Sequence, residues 1–274
     1  DTDTPASVDI RSVGGDGFAD VRGAITIDAP DSNVRLKAKN AGLATVVELA
    51  NIDATNLELN LAANTGAEQA PGTRLYTKDL ILVGGGAAGF VLNNDNVVDD
   101  LAGATTAAVQ ITNAATFTKQ TNGLVITART GGLSEVSYNG ISTNNHDFTI
   151  TTDTNFSMNS SSDLDVGTGV LTIRERGGTG DGDFGSAGGI SLGIDSRSTL
   201  SIGTGLAIFT ASKTIFDTTL TGNDIYVNGV NSAGLGELQF LAGGDLYFIG
   251  NKPNPTISSG GLSGSAAGSI FIKE

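Results

Sequence analysis

The stretch from residue 34 to residue 82 repeats a short apolar–x–apolar triplet at a fixed interval: Val34-Arg35-Leu36, Leu57-Glu58-Leu59 and Leu80-Ile81-Leu82 begin 23 positions apart. Phe148-Thr149-Ile150 and Leu171-Thr172-Ile173 are separated by the same 23 positions. The first and last residues of such a triplet share one face of a strand, because side chains alternate with a period of two. A repeat of about 20 to 50 residues indicates a solenoid, in which each repeat buries its apolar face only by stacking on its neighbours.

A second set of triplets lies between those of the first set, for example Leu164-Asp165-Val166 and Leu246-Tyr247-Phe248. Two or three short strands per repeat are typical of a parallel β-helix, which needs one strand for each side of its cross-section. We therefore predict an all-β fold, a right-handed parallel β-helix (β-solenoid) that forms a single elongated domain of about ten to eleven rungs. The short step of 15 residues from Val109 to Leu124 predicts that one of these two residues belongs to a different face.

The composition supports a solenoid with an aliphatic core. Hydrophobic residues make up 39% of the chain and aromatic residues only 5%, with no tryptophan, so we expect a core of Val, Ile, Leu and Ala. The 39 glycines are about twice ordinary usage, while the 5 prolines are too few for collagen or a proline-rich linker. Gly, Asn, Asp, Ser and Thr between the triplets supply the turns of an all-β chain.

The chain divides into a short N-terminal segment and the solenoid itself. Residues 7–13 alternate as a separate strand and are followed by Gly14-Gly15-Asp16-Gly17. We predict that residues 1–23 form a strand that caps the solenoid or pairs with another subunit, and that residues 24–274 form the β-solenoid. The longer intervals in the C-terminal half predict loop insertions, such as residues 177–189.

The net charge argues against nucleic-acid and membrane partners, and the cysteine content indicates the class of protein. A formal net charge of −14 and a pI near 4.3 repel phosphate backbones and acidic bilayers, so we expect no nucleic-acid partner. No apolar run approaches the roughly 18 residues of a transmembrane helix, so we expect no membrane insertion. The lack of cysteine fits a bacterial exported protein better than a disulfide-stapled module. The chain begins at Asp1, and we expect that a signal peptide or longer precursor preceded it, unless the sequence is a segment of a longer chain.

The C-terminal half resembles a family of surface proteins. Residues 236–250 read as a glycine, an apolar strand, Ala242-Gly243-Gly244-Asp245, a second strand and another glycine, and residues 264–272 repeat this style. Such repeats resemble those of filamentous-haemagglutinin-type large exoproteins and autotransporter-like adhesins. The resemblance implies a right-handed parallel β-helix on an extracellular surface. The N-terminal secretion motif of that family has no match in this chain, which leaves the route of export open.

Two glycine-rich segments have possible ligand-binding interpretations. Residues 177–184 resemble a calcium-binding nonapeptide in which Asp181 and Asp183 would bind the ion, although these aspartates flank the position that the motif requires. A single weak calcium site is one interpretation, and a flexible acidic loop without a cofactor is the other. Residues 84–89 match the Gly-x-Gly-x-x-Gly pattern of dinucleotide-binding proteins, but the aromatic and β-branched residues that follow predict a turn between rungs.

Parallel β-helices also include polysaccharide lyases and hydrolases, which use clustered carboxylates and a basic residue. The candidate carboxylates are Asp163 and Asp165, which share one strand face, or Asp99 and Asp100. The one histidine of the chain, His146, lies in a predicted turn, so a nucleophilic triad has no base on a strand. We therefore predict that the chain is not an enzyme.

We expect a secreted structural protein of the cell surface, a subunit or segment of a fibre or adhesin. The end of a solenoid without a cap presents unpaired backbone groups and an open apolar cross-section, which favour self-association. The residues predicted to contact another subunit are Val8, Ile10, Val13, Ile270, Phe271 and Ile272. The expected partner is a second copy of the chain, bound head to tail by strand addition. An adhesin module that binds surface glycans through inserted loops is the alternative.

Overall fold

The computed structural model describes most of the chain, and the statements below concern those residues. They are residues 7–11, 25–38, 45–61, 65–86, 88–114, 124–129, 136–153, 156–158, 162–176, 190–192, 197–202, 209–230, 235–249 and 261–273. Every helix or strand in this part of the chain is a β-strand. The predicted all-β class is therefore confirmed.

The strands are numbered in chain order. They are β1 Ser7–Arg11, β2 Ile25–Ala38, β3 Thr45–Leu61, β4 Thr65–Gln69, β5 Leu75–Gly84, β6 Phe90–Thr105, β7 Val109–Asn113, β8 Leu124–Ile126, β9 Gly140–Ser142, β10 Phe148–Thr152, β11 Phe156–Met158, β12 Asp163–Asp165, β13 Val170–Glu175, β14 Ile190–Leu192, β15 Arg197–Ile202, β16 Phe209–Asp217, β17 Asp224–Val230, β18 Leu235–Ala242, β19 Leu246–Ile249, β20 Gly261–Ala266 and β21 Ile270–Lys273. The long strands β2 and β6 pass a corner of the coil, where their pairing register shifts.

Successive coils stack in parallel, and the repeated triplets lie directly above one another. Val34 pairs with Leu57, and Leu57 pairs with Leu80. In the same way Phe148 pairs with Leu171. The constant interval thus places one apolar side chain on the next along the axis, which is how a solenoid buries its core. The chain is a β-solenoid of about seven turns, and the predicted fold is confirmed.

The number of turns is smaller than the ten to eleven rungs predicted from the sequence. The prediction treated each triplet as a new rung, whereas the triplets belong to two different ladders. Val109 pairs with Phe90 and Phe148, but Leu124 pairs with Phe156. Val109 and Leu124 therefore lie on different sides of one coil, as their short spacing predicted, and counting both of them as rungs accounts for one of the excess rungs.

The core is a continuous set of buried side chains inside the coils, and it is less purely aliphatic than predicted. Five phenylalanines are among the largest fully buried side chains: Phe90, Phe148, Phe156, Phe216 and Phe240. Phe216 and Phe240 stack one coil apart with ring centroids 5.5 Å apart and an interplanar angle of 14°. The expectation of a core limited to Val, Ile, Leu and Ala is therefore wrong, because these five phenylalanines are part of it.

Buried amide side chains close one corner of the coil. Asn96 and Asn113 are paired in register and fully buried. The Oδ1 atom of Asn96 accepts a hydrogen bond from the backbone amide of Leu75 at 2.8 Å, and that of Asn113 accepts one from Val98 at 2.9 Å. Backbone groups leave the ladder where a strand bends, and these side chains replace the lost partners.

The glycine-rich segment between β5 and β6 is a turn, as predicted, rather than the start of a helix. Gly84, Gly85 and Gly89 have φ angles of 77°, 103° and 70°. L side chains rarely adopt such angles, so this turn depends on glycine. β6 follows directly at Phe90 and contains no helical residue.

One strand departs from the parallel arrangement. β14 pairs antiparallel with β11 and antiparallel with β15. Since two reversals cancel, β15 runs in the same direction as β11, and the ladder then continues in parallel to β17, β19 and β21. The predicted loop insertion at residues 177–189 immediately precedes β14 and lies outside the described residues.

Candidate functional site

The last described coil exposes apolar side chains along its outer edge. This coil consists of β20 and β21, here called the C-terminal rim, and among the described residues each of these strands pairs on one side only, with β18 and β19 respectively. Leu262 and Ile270 are each 49% exposed, Phe271 is 45% exposed and Ile272 is 75% exposed. Three predicted contact residues, Ile270, Phe271 and Ile272, therefore lie on this rim.

Two of these exposed side chains, Leu262 and Ile270, continue columns of the core. Leu246, the register partner of Ile270, is fully buried, and so is Leu238, the partner of Leu262. The same positions one coil earlier are therefore interior. A further coil stacked on this rim would bury them, and a fully buried side chain of this size gains about 1.5 to 3 kcal/mol.

The opposite end of the solenoid is formed by β1 and by residues 25–29 of β2, here called the N-terminal rim. β1 pairs with β2 in parallel, with Val8 opposite Val34 and Ile10 opposite Leu36. Val34 and Leu36 are fully buried, so Val8 and Ile10 occupy register positions of a core column. Among the described residues β1 has a strand partner on one side only. The predicted contact residue Val13 lies outside the described residues.

An aromatic pair lies beside the C-terminal rim. Tyr247 and Phe271 are register partners whose ring centroids are 4.6 Å apart, with an interplanar angle of 7°. The Tyr247 hydroxyl donates a hydrogen bond of 2.9 Å to Oδ2 of Asp245. The Oδ1 atom of Asp245 accepts a hydrogen bond of 2.6 Å from the backbone amide of Ser269, which fixes the turn between β20 and β21. Tyr247 is half-buried and Phe271 is exposed, so the aromatic pair is accessible from solvent.

Asp163 and Asp165, the first pair of candidate catalytic carboxylates, flank the fully buried Leu164 on β12. Asp165 accepts hydrogen bonds from the hydroxyls of Thr210 and Ser142, and Asp163 accepts one of 3.1 Å from Nδ2 of Asn139. In the described part of the chain neither aspartate forms an ion pair. The basic residue that a polysaccharide lyase needs is therefore not beside them in the described residues.

Asp99 and Asp100, the second pair, lie on β6 at a corner of the coil. Arg129 forms an ion pair through Nη2 with Oδ2 of Asp100 at 2.9 Å, and its Nη2 also contacts Oδ1 of Asp79. Burial raises the pKa of Asp99, and the neighbouring Asp100 raises it further, while Lys78 opposes both effects. Burial also raises the pKa of Asp100 against the effect of Lys78.

Asp79 and Arg129 were not predicted from the sequence, although a signal for Asp79 is present there. Asp79 directly precedes a repeated triplet, as Asn33 and Asn56 precede theirs, and the three residues are register partners one coil apart. Nδ2 of Asn56 donates to Oδ1 of Asn33 at 2.6 Å. Arg129 is not part of the 23-residue repeat. The spacing of the repeat therefore gives no sign that Arg129 lies beside Asp79 and Asp100 in the folded chain. Asp79, Asp100 and Arg129 thus form an ion-pair cluster in which one arginine joins carboxylates of neighbouring coils.

Other arginines also bridge neighbouring coils. Arg35 on β2 pairs with Glu58 on β3, and Arg174 on β13 pairs with Asp217 on β16, with nitrogen–oxygen distances of 3.0 and 2.8 Å. Arg176 binds both carboxylate oxygens of Asp153 at 2.8 and 2.7 Å. The hydrogen bonds to Asp153 raise the pKa of Arg176, although burial opposes them. These cations neutralise carboxylates of adjacent coils, which is a structural role.

The remaining candidate residues do not form a site in the described structure. His146 is exposed in a turn that contains Asn144 and Asn145 with φ angles of 50° and 70°, in agreement with the predicted turn. Asp181 and Asp183, the predicted calcium ligands, lie outside the described residues. Within the described ranges, no three His, Cys, Asp or Glu side chains are grouped in a way that could hold a metal ion.

Comparison with known proteins gives no relative. No protein-family model, no curated protein and no solved structure matches the chain. The part of the chain that the structure describes contains no helix with the length and hydropathy of a membrane span.

Proposed function

We propose that this chain is a non-catalytic structural protein, a β-solenoid subunit or segment of an extracellular fibre or adhesin that self-assembles through its ends. Its surface is acidic, with a formal net charge of −14, and it has no cysteine. A long parallel ladder provides rigidity without disulfides. A secreted, cell-surface location of a bacterial protein follows from the family resemblance and is part of the proposal.

The observation that carries the proposal is the apolar C-terminal rim. Leu262 and Ile270 are each 49% exposed, while their register partners one coil earlier, Leu238 and Leu246, are fully buried. A strand edge that no other described strand covers, and that carries apolar side chains, is a template for pairing with another strand. Association at this rim would convert an exposed apolar edge into interior, which gives the chain a physical reason to assemble.

The arrangement of charged side chains supports a structural role over catalysis. Arg35, Arg129, Arg174 and Arg176 are each paired with carboxylates of neighbouring coils. A lyase or hydrolase would need a carboxylate and a cation that are free to act on a sugar. A polysaccharide lyase or hydrolase is therefore the weakest alternative, and turnover of an acidic polysaccharide that Asp163→Asn, Asp165→Asn or Asp99→Asn abolishes would establish it.

Sedimentation velocity of the full chain over a wide range of concentration, together with negative-stain electron microscopy, tests the proposal. We expect the mean sedimentation coefficient to rise with concentration and rods of one width but variable length to appear. A single monomeric species at the highest concentration would contradict self-assembly.

A glycan-binding adhesin module is the second candidate, favoured by the exposed pair Tyr247 and Phe271 beside Asp245. Stacked aromatic rings next to a carboxylate can hold the apolar face and the hydroxyls of a sugar. Binding on a glycan array without turnover, lost in Phe271→Ala, would support this function. Binding that persists in Phe271→Ala would place any glycan elsewhere, for example on an inserted loop.

A further inference from the structure

The described strands form two parallel stacks that meet at one irregular level of the solenoid. Strands β1–β13 are here called the N-terminal stack and strands β15–β21 the C-terminal stack. Every pairing between two strands of the same stack is parallel. Between the stacks, β14 is antiparallel to both β11 and β15, and β16 pairs with β12 and β13. This level, where β11, β12 and β13 meet β14 and β16, is here called the seam.

A column of the core is interrupted at the seam by a polar side chain. Four register partners on successive coils are fully buried: Phe148, Leu171, Thr214 and Leu238. Thr214 is the polar member of these four, and its Oγ1 atom is buried without a hydrogen-bond partner in the described part of the chain. A buried hydroxyl without a partner loses its hydration and gains nothing in return. The stacking of Thr214 on Leu171 is therefore weaker than that of Leu171 on Phe148.

Charged and amide side chains make the other contacts across the seam. The Nε atom of Arg174 on β13 donates to Oδ2 of Asp217 on β16 at 2.8 Å. Glu175, which is fully buried, accepts a hydrogen bond of 2.7 Å from Nδ2 of Asn223 in the turn after β16. Water can satisfy all of these groups when the coils separate, so such contacts resist separation less than buried apolar surface does. The seam is thus the weak interface of the solenoid.

We propose that the solenoid opens at the seam, so that the C-terminal stack unfolds as one unit while the N-terminal stack stays folded. Each coil of a repeat protein is stabilised by its neighbours, and a weak interface divides the array into units that open separately. The C-terminal stack has fewer described strands and thus fewer stabilising interfaces, which makes it the unit that opens first.

Opening of the seam uncovers an apolar coil end inside the chain. Leu171 and Ile173 on β13 are fully buried when the seam is closed, because Thr214 and Phe216 of β16 lie on them in register. The molecule therefore has an apolar surface that is available only while the C-terminal stack is open. This opening takes place within one chain and does not depend on self-assembly.

Native-state hydrogen exchange of the full chain, followed by mass spectrometry at low, rising urea concentrations, tests the opening. We expect the backbone amides of β16–β19 to exchange through one common opening, at a lower free energy than those of β3–β7. Ile111→Val on β7 should speed exchange in β3–β7 about fivefold and leave β16–β19 unchanged, because the N-terminal stack is folded in both the closed and the open state.

Ile225→Val on β17 is the matched variant, since Ile225 and Ile111 are both buried. It should speed exchange in both stacks, because the N-terminal stack unfolds only together with the C-terminal stack. If Ile111→Val speeds exchange equally in β3–β7 and β16–β19, the solenoid is one cooperative unit and the proposal is wrong.

Thr214→Val tests the seam itself, because a methyl group replaces the unpartnered hydroxyl with little change of shape. We expect exchange in β16–β19 to become about tenfold slower. Thr149→Val is the matched control and should change nothing, since Thr149 is half-buried between the core positions of β10. Unchanged exchange in Thr214→Val, or equal slowing in both variants, would overturn the assignment of the weak interface. Should Thr214→Val not fold, as judged by circular dichroism, Asp217→Asn replaces it: faster exchange in β16–β19 is then expected, and unchanged exchange would contradict the proposal.

Discussion

Arg35 and Glu58 lie one coil apart in register, and the Nε atom of Arg35 donates to Oε2 of Glu58 at 3.0 Å. Both side chains are nearly inaccessible, with exposed fractions of 9% and 1%. Nδ2 of Asn60 donates to the other carboxylate oxygen of Glu58 at 2.9 Å. A buried charge pair of this kind persists only when each charge keeps its partner.

Removing the cation alone should therefore destabilise the solenoid strongly. Arg35→Met leaves the Glu58 carboxylate buried without its counter-ion, and we expect a loss of about 3 to 5 kcal/mol in the free energy of unfolding, measured by urea denaturation. The double variant Arg35→Met/Glu58→Leu should recover most of this loss, since both charges are gone.

The matched control is the more solvent-accessible pair Lys213 and Glu237, whose charged atoms are 3.3 Å apart and whose side chains are 28% and 44% exposed. Lys213→Met should change the free energy of unfolding much less than Arg35→Met, because solvent screens such a pair. Equal losses in Arg35→Met and Lys213→Met would show that burial does not govern the strength of these pairs.

The stacking distance predicts a strict requirement for glycine at position 103. Gly103 on β6 has a φ angle of 145°, and a Cβ atom there would meet the carbonyl oxygen of Leu82 one coil below. Gly103→Ala should lower the free energy of unfolding by more than about 2 kcal/mol. Gly261→Ala is the control, because a Cβ atom at Gly261 meets nothing closer than 3.6 Å and no unusual φ is required. Equal melting temperatures of Gly103→Ala and Gly261→Ala would contradict the observed spacing between coils.

Two aspartates should affect stability with opposite signs as the pH changes. Burial acts to raise the pKa of Asp217, but hydrogen bonds from Thr219 and Arg174 outweigh it and lower the pKa. Asp217 therefore stabilises the fold at neutral pH and loses this contribution as the pH falls through its lowered pKa. Asp217→Asn should cost about 1 to 3 kcal/mol at pH 7, and the difference from the native chain should shrink in acid.

Asp99 should behave in the opposite way, since burial and the neighbouring Asp100 raise its pKa. Its contribution to stability is greatest below its ordinary pKa and is lost as the pH rises through the raised value. Asp99→Asn should therefore match or exceed the native chain at pH 7 and lose this advantage in acid. Urea denaturation at a series of pH values checks both variants, and a parallel pH dependence of the two would contradict the assigned pKa directions.

The sequence predicted the fold because the spacing of apolar residues records which positions stack. Leu57 and Leu80 could be placed above Val34 by counting alone. The apolar spacing did not predict the stacked position where the ladder includes a polar residue. The register partner of Leu171 on β16 is Thr214, which is fully buried. No apolar–x–apolar triplet therefore marks that rung in the sequence.

The candidate sites were predictable to different degrees. Ile270 and Ile272 could be placed on the exposed C-terminal rim from the sequence because the last triplet is apolar, and their contact with another subunit stays a prediction. The cluster of Asp79, Asp100 and Arg129 was not found, since Arg129 belongs to a segment outside the repeat. Spacing predicts contacts within a ladder, whereas contacts made by inserted segments depend on a chain path that periodicity does not encode.

A charge at the C-terminal rim should prevent assembly without unfolding the monomer. Ile272 is 75% exposed, so Ile272→Asp should leave the melting temperature of the monomer nearly unchanged. In an assembled rim the new carboxylate would be buried without a partner, which costs several kcal/mol and should weaken association by about a hundredfold or more. Leu220→Asp is the matched control, because Leu220 is 60% exposed but lies in the turn between β16 and β17. Sedimentation velocity that shows equal assembly of the two variants, or a loss in both, would mean that the C-terminal rim is not the assembly surface.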